Sequence, residues 1–162
     1  MPICTFRSLT QPDELLLWEM LYQALFVPEG QKPFPKNIVY QPELAKYVEH
    51  WGKESDFGYV AIEQSTLQTV GVVWARLFPG ETPGYGFVNK ETPELSIAVL
   101  PGFRNHGIGT QLLDKLIGQA RHHFRAVSLS VSADNPAVRL YERFGFERTG
   151  HAGSSITMIK IL

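Results

Sequence analysis

One segment of the chain has a clear helical periodicity, and its flanks restrict the class of fold. From Gly107 to about His123, apolar residues recur at the three- and four-residue spacing of one helix face, and polar residues fill the other. A strand-like run, 94–100, precedes this helix, and an alternating run, 126–132, follows it. The apolar face consists of Ile108, Leu112, Leu113, Leu116, Ile117 and Ala120.

The rest of the chain extends this pattern to an α/β fold with one mixed sheet and helices on both faces. Further strands are predicted at 3–8, 57–64, 69–78, 146–149 and 155–161. Further helices are predicted from Thr10 to about Phe26, at 42–51, and from an Asn135-Pro136 start to Phe144, with an irregular proline-rich loop at 28–42. No boundary divides the sequence, so we expect a single domain, 1–162.

The composition narrows the function classes. With 162 residues and 44% hydrophobic content the chain can bury one core, and its net charge of −1 provides no global positive field for nucleic acid or an anionic membrane. Its apolar runs are too short for a membrane-spanning helix. Cys4 is the sole cysteine, which suits a reducing compartment, so we expect a cytoplasmic protein. The five histidines lack the spacing of metal ligands, and no metal is predicted.

The turn between the strand at 94–100 and the long helix predicts an anion site. Its sequence, VLPGFRNHGIGT, places Gly107 and Gly109 at a helix N-terminus, where free N–H groups and the helix dipole favour phosphate. Arg104 adds a cation that can bind phosphate oxygens in a bidentate manner. The turn lacks the Gly-Lys-Ser/Thr of a P-loop and the third glycine of a dinucleotide fingerprint. On these residues alone, glycines that merely permit a tight turn remain the alternative.

Three segments in order carry a family resemblance. Residues 104–110, RNHGIGT, resemble the Arg/Gln-x-x-Gly-x-Gly/Ala signature of the GNAT (GCN5-related) N-acetyltransferases. The strand ELSIAVLP before it and the segment NPAVRLYERFGF after it resemble the family's neighbouring elements, and together the three cover about a third of the chain. The resemblance implies the GNAT-like acyl-CoA N-acyltransferase fold, acetyl-CoA as co-substrate and an amine acceptor.

The resemblance also implies how the coenzyme is bound. Backbone groups of Ile97 and Val99 would pair with the pantetheine arm as an added strand does, in a splay between the strands at 94–100 and 126–132. The Val99 N–H would polarise the thioester carbonyl. Asn135 would cap its helix and contact the coenzyme. The diphosphate would be held by Arg104, Asn105, His106, Gly107, Ile108, Gly109 and Thr110.

Two residues are candidates for proton transfer. Tyr141 matches the family's tyrosine, which contacts the coenzyme and protonates the departing thiolate, since a phenol stays protonated at neutral pH. Its alternative role is a core aromatic, because Val138, Tyr141 and Phe144 share helical spacing. Glu94 corresponds to a position where some GNAT enzymes carry a carboxylate, and would act as a base through a water molecule. Its alternative role is an exposed glutamate at a strand end.

The identity of the acetyl acceptor is the feature that the sequence determines least. We expect a primary amine of a small molecule, with a protein N-terminus or lysine as the alternative acceptor. A non-catalytic acyl-CoA sensor is the alternative of another class, although Tyr141 and a complete turn favour catalysis. No nucleic-acid or membrane partner is expected, and dimers are frequent in the family, which makes a homodimer the analogous assembly.

Overall fold

The computed structural model describes residues 2–162, apart from the side chain of Ala152, and contains one seven-stranded sheet in the order β1-β2-β3-β4-β5-β7-β6. Neighbouring strands are antiparallel except for β4 and β5, which are parallel. The predicted mixed sheet is therefore confirmed. The strands are β1 Cys4–Ser8, β2 Phe57–Glu63, β3 Thr69–Arg76, β4 Glu94–Val99, β5 Ala126–Ser132, β6 Glu147–Ala152 and β7 Ser155–Ile161.

Helices cover both faces of this sheet, as the patterning predicted. They are α1 Glu14–Ala24, α2 Pro42–Ala45, α3 Ile108–Ala120 and α4 Ala137–Arg143. The apolar face of α3 is buried on one side of the sheet, and α4 packs in the same core. The α1 residues Leu17, Met20 and Leu21 are buried on the other side. Among residues 2–162, no helix is long and apolar enough to cross a bilayer.

Strand β3 is buried almost throughout because both helical layers press on it. Successive side chains of a strand point to opposite faces. Val73 and Ala75 accordingly enter the core under α3, whereas Val72 and Trp74 enter the core under α1. Strand β3 therefore contributes side chains to both hydrophobic cores, one on each face of the sheet.

The predicted helix at 42–51 begins where expected but is too long, because helix α2 contains only Pro42–Ala45. Beyond it the backbone carbonyls of Lys46, Glu49 and His50 accept hydrogen bonds from the buried guanidinium of Arg76. These carbonyls face a side chain from β3, so the chain turns irregularly instead of extending the helix. The proline-rich loop likewise holds a short 3-10 turn, Lys36–Tyr40.

The first helix also differs at its ends from the prediction. Thr10 caps a 3-10 turn, Gln11–Asp13, and its backbone N–H donates to the Asp13 carboxylate at 2.7 Å. The α-helix then begins at Glu14 and ends at Ala24, two residues before the predicted end. Capping at Thr10 was therefore predicted correctly, although the turn it opens is not yet α-helical.

Candidate active site

The sheet opens between its two parallel strands. In the part of the chain that the structure describes, β4 and β5 pair at a single position, Glu94 with Ser128. The Ser128 N–H donates to the Pro93 carbonyl at 3.0 Å at this point. Strand β3, in contrast, pairs with β4 along its whole length up to Val99. Beyond Glu94 the two parallel strands no longer pair, which is the splay that the resemblance implied.

Backbone groups of β4 face this gap. The Leu100 N–H donates to the Val70 carbonyl of the β3 side at 2.9 Å. Because backbone groups alternate along a strand, those of Ile97 and Val99 face the opposite way, towards β5. At these two residues β5 no longer pairs with β4. Ile97 and Val99, which were predicted to pair with a pantetheine arm, thus lie on the open side of the strand.

The turn after β4 orients a set of amides at the start of α3. Asn105 and Gly107 have left-handed backbones, with φ of 64° and 83°. The first helical bond runs from the Gln111 N–H to the Gly107 carbonyl at 3.1 Å. The amides of Ile108, Gly109 and Thr110 precede that bond, and such N–H groups have no partner within a helix. The predicted anion site is therefore a helix N-terminus with a positive dipole end.

Arg104 lies beside this turn and binds two backbone carbonyls. Its exposed guanidinium donates from Nε to the Val99 carbonyl at 2.8 Å and from Nη2 to the Gln23 carbonyl of α1 at 3.4 Å. Arg104 therefore joins the end of β4 to the end of α1, beside the turn. The other N–H groups of the guanidinium add positive charge beside the amides of the turn. The neighbouring His106 is half-buried.

We expect Gly107→Ala to lower the free energy of unfolding by about 1–2 kcal/mol, because a Cβ disfavours the left-handed backbone. No heavy atom lies within 4 Å of the position of that Cβ, so the cost is confined to the backbone. Gly109→Ala is the matched control: its Cβ would meet Leu140 Cδ2 at 3.7 Å, an ordinary contact. Urea unfolding of both variants measures the difference. Equal stability of the two would contradict a strained turn at Gly107.

Helix α4 lies beside the start of α3. Asn135 Oδ1 accepts from the Ala137 N–H, the first amide of α4, at 2.9 Å, so Asn135 satisfies the start of the helix from one residue before its N-cap, Pro136. Its contact with a coenzyme stays a prediction. A Cβ built at Gly109 would be 3.7 Å from Leu140 of α4 and 3.9 Å from Ile97 of β4. The helix that carries Tyr141 therefore adjoins both the glycine turn and the open strand.

Tyr141 is a core residue with a protonated phenol. Only 6% of its surface is exposed, and its ring packs edge-on against Phe146 with centroids 6.0 Å apart. Burial raises the pKa of Tyr141 to about 12, so the hydroxyl keeps its proton at neutral pH. The core packing that the sequence offered as the alternative is confirmed, and the role of Tyr141 as a proton donor stays a prediction.

Glu94 is not the exposed strand-end residue that the sequence left open. Only 3% of its surface is exposed. The Tyr47 hydroxyl donates to its Oε2 atom, and Oε1 has no hydrogen-bond partner within residues 2–162. Burial raises the pKa of Glu94 to about 7, against the lowering effects of the Tyr47 bond, the Gly86 N–H and the Lys46 charge. A carboxyl group with this pKa can take up and release a proton at neutral pH.

Tyr47 was missed in the sequence, and so was the loop that covers Glu94. Tyr47 lies in the segment predicted as helix, 47 positions from its partner. In the loop before β4, a Cβ at Gly84 would lie only 2.1 Å from Glu94 Oε1 and 2.8 Å from the Tyr47 hydroxyl. The glycines of this loop were visible in the sequence, but the close approach that requires one of them was not.

A sheet that opens between two parallel strands beside a glycine turn, with a buried tyrosine and a buried glutamate nearby, is the arrangement expected of an acyltransferase that binds an acyl carrier. Residues 18–146 match the acetyltransferase (GNAT) family. The chain belongs to this family, and the family prediction is confirmed. GNAT enzymes use acetyl-CoA as the acyl donor.

Individual relatives agree with this assignment. The chain is 30% identical to L-2,4-diaminobutyric acid acetyltransferase of Nocardia farcinica over 112 residues, which are 59% of this chain and 56% of that protein. It therefore spans little more than half of that relative's length. It is 35% identical to N-alpha-acetyltransferase of Sulfolobus acidocaldarius over 128 residues, or 72% of this chain and 69% of that protein.

A solved structure has the same fold. PaiA N-acetyltransferase from Thermoplasma acidophilum, in complex with coenzyme A, superposes with a TM-score of 0.68 at 18% identity. The match covers 99% of each chain. The predicted GNAT-like fold class is therefore confirmed.

Proposed function

We propose that the protein transfers the acetyl group of acetyl-CoA to the primary amine of a small molecule. The observation that carries this proposal is the single-bridge splay between β4 and β5, which leaves the backbone of Ile97 and the N–H of Val99 facing the gap, while the Val99 carbonyl is bound by Arg104. An extended pantetheine arm fits such an edge because it carries amide donors and acceptors. The amides at the start of α3 are suited to its diphosphate.

Two side chains support a catalytic role over a sensing role. An alkylamine is mostly protonated at pH 7 and must lose a proton before it attacks a thioester. Glu94, with its pKa of about 7, can take that proton. Tyr141 can return a proton to the thiolate that leaves when the C–S bond breaks, and its own pKa of about 12 keeps it protonated until then. A sensor would need neither group.

A compact acceptor is supported by the burial of the base. Glu94 lies beneath the loop around Gly84 and is almost inaccessible, so an acceptor would exchange a proton with it through a water molecule. A small amine fits beside such a covered base more readily than the surface of a folded protein. Acetylation of a diamino acid is named for one relative, and this favours a small molecule. Acetylation of N-termini is the second candidate, since the relative of 35% identity is an N-alpha-acetyltransferase.

Thiol release from acetyl-CoA, measured with a panel of acceptors, tests the proposal. The panel should contain diamino acids, polyamines, single amino acids, and peptides with free or blocked N-termini. We expect release to depend on the acceptor and to be fastest with a small amine. Fastest release with a free-N-terminal peptide would favour the second candidate. Saturable binding of acetyl-CoA without release for any amine would overturn catalysis and favour a sensor.

A further inference from the structure

The Tyr47 hydroxyl accepts one hydrogen bond and donates another. Its oxygen accepts from the backbone N–H of Tyr85 at 2.7 Å. A backbone N–H can only donate, so the phenolic proton is left for Glu94 Oε2. Burial also raises the pKa of Tyr47, which keeps that proton on the phenol. One carboxylate oxygen of Glu94 thus has a fixed donor, and Oε1 makes no hydrogen bond of ordinary geometry in the described part of the chain, although the Gly86 N–H is close enough to stabilise the carboxylate.

The cation opposite Glu94 on the neighbouring strand is engaged elsewhere. Arg76 lies directly opposite Glu94 in the β3–β4 register. A guanidinium has five N–H donors, and two of them bind the Asp56 carboxylate at 3.3 and 2.9 Å. The other three bind the carbonyls of Lys46, Glu49 and His50 at 3.1, 2.9 and 3.5 Å. All five donors are therefore engaged, and the side-chain partner of Glu94 is a neutral phenol.

The same bonds hold Tyr47 in place. The carbonyls that Arg76 binds lie on both sides of Tyr47 in the chain. The Tyr47 carbonyl itself accepts from the indole of Trp74 at 3.0 Å. Because Arg76 and Trp74 both belong to the buried strand β3, the phenol is fixed relative to the sheet. Its bond to Glu94 is thus imposed by the core.

A loop segment, 83–86, covers the free oxygen of Glu94. Lys46 Nζ donates to the Pro83 carbonyl, and Ser128 Oγ donates to the Gly86 carbonyl at 2.7 Å. Between these two ties, Gly84 lies against Oε1. A buried carboxylate oxygen without a donor is unfavourable, so a water molecule that reaches it would be bound there.

We infer that Tyr47 is a positioning residue, which holds Glu94 Oε2 so that Oε1 is the atom that takes the proton of the acceptor amine. The inference rests on the proposed acetyl transfer. In this step one N–H bond of the ammonium breaks and its electron pair stays on nitrogen. A water molecule accepts this proton and gives up one of its own, so that an O–H bond forms at Oε1. The neutral amine can then attack the thioester, and Glu94 returns its proton to solvent before the next turnover.

Charged and titratable groups on every element packed around Glu94 determine the pH of this step. They are Tyr47 and Lys46 from the segment after α2, Arg76 from β3 and Tyr85 from the loop. The Tyr47 bond and the Lys46 charge lower the pKa of Glu94. Loss of the Tyr47 hydroxyl should therefore raise that pKa further.

Tyr47→Phe tests the inference in the full-chain enzyme. The rate of thiol release with the best amine should rise with pH as Glu94 ionises, with a midpoint near its pKa of about 7. In the variant we expect this midpoint to move up by about one pH unit, so that the rate at pH 7 falls about fivefold and recovers at higher pH. Tyr59→Phe is the matched control, because it removes a phenol bonded to Gln119 at 2.7 Å on the other face of the sheet.

A second measurement does not depend on activity. The ¹³C carboxyl resonance of Glu94, identified by its absence in Glu94→Gln, should titrate near pH 7 in the wild type and about one unit higher in Tyr47→Phe. A lower rate at every pH with both midpoints unchanged would overturn the inference, because lost packing alone produces that result. The Glu94 resonance could titrate at a higher pH in Tyr47→Phe than in the wild type although the wild type releases no thiol with any amine. That result would overturn the proposed function but support the Tyr47–Glu94 bond.

Discussion

Tyr141→Phe is expected to reduce the rate of thiol release by roughly a hundredfold or more, which is the usual contribution of a positioned acid. The substitution deletes one oxygen and keeps the ring that packs against Phe146. Affinity for coenzyme A should change little, because the proposed diphosphate contacts are at the start of α3 and not on α4. Steady-state turnover and a coenzyme A titration measure the two effects separately.

Tyr59→Phe again serves as the control, since it also loses one phenolic oxygen but lies away from the proposed site. Equal turnover of Tyr141→Phe and wild type would remove Tyr141 from the mechanism. A loss of turnover that is matched by an equal loss of coenzyme affinity would instead make it a binding residue.

Asp56→Ala should cause the largest loss of stability, about 3–5 kcal/mol in the free energy of unfolding. The side chains of Asp56 and Arg76 are 1% and 3% exposed, and their charges pair at 2.9 Å. Removal of the carboxylate leaves the guanidinium buried without a counter-charge. The Asp56 carboxylate also accepts the backbone N–H groups of Gly52 and Lys53, which would lose their partner.

Asp13→Ala is the matched control for this prediction. Asp13 pairs with Arg7 at 2.8 Å, but the Arg7 side chain is 45% exposed, so loss of this pair together with the Thr10 cap should cost only about 1–2 kcal/mol. Denaturant unfolding of both variants gives the comparison. If Asp56→Ala costs no more than Asp13→Ala, the buried pair does not anchor the segment that carries Tyr47.

The elements with strong periodicity were predictable, and those fixed by distant partners were not. The apolar face of α3 and the strand β5 follow directly from local spacing. The segment after α2 looked helical because nothing local reveals that Arg76, some thirty residues later, binds its carbonyls. Local sequence therefore gave the layers of the fold but not the course of this segment.

The candidate site divides in the same way. The glycine turn before α3 is a contiguous motif, so the resemblance could identify it and the tyrosine of α4. The environment of Glu94 depends on Tyr47 and on a close approach of Gly84, which come from two separate parts of the chain. A strand-end glutamate is exposed unless such parts cover it, and only the three-dimensional structure shows that they do.

Because β4 and β5 pair only at Glu94 and Ser128, the sheet consists of two parts, strands β1–β4 and strands β5–β7, joined at one end. Under the proposed function, the pantetheine arm of the acyl donor would lie between these two parts as an eighth, removable strand. The bound substrate would then complete the sheet between β4 and β5, and this part of the sheet would form and come apart in each catalytic cycle.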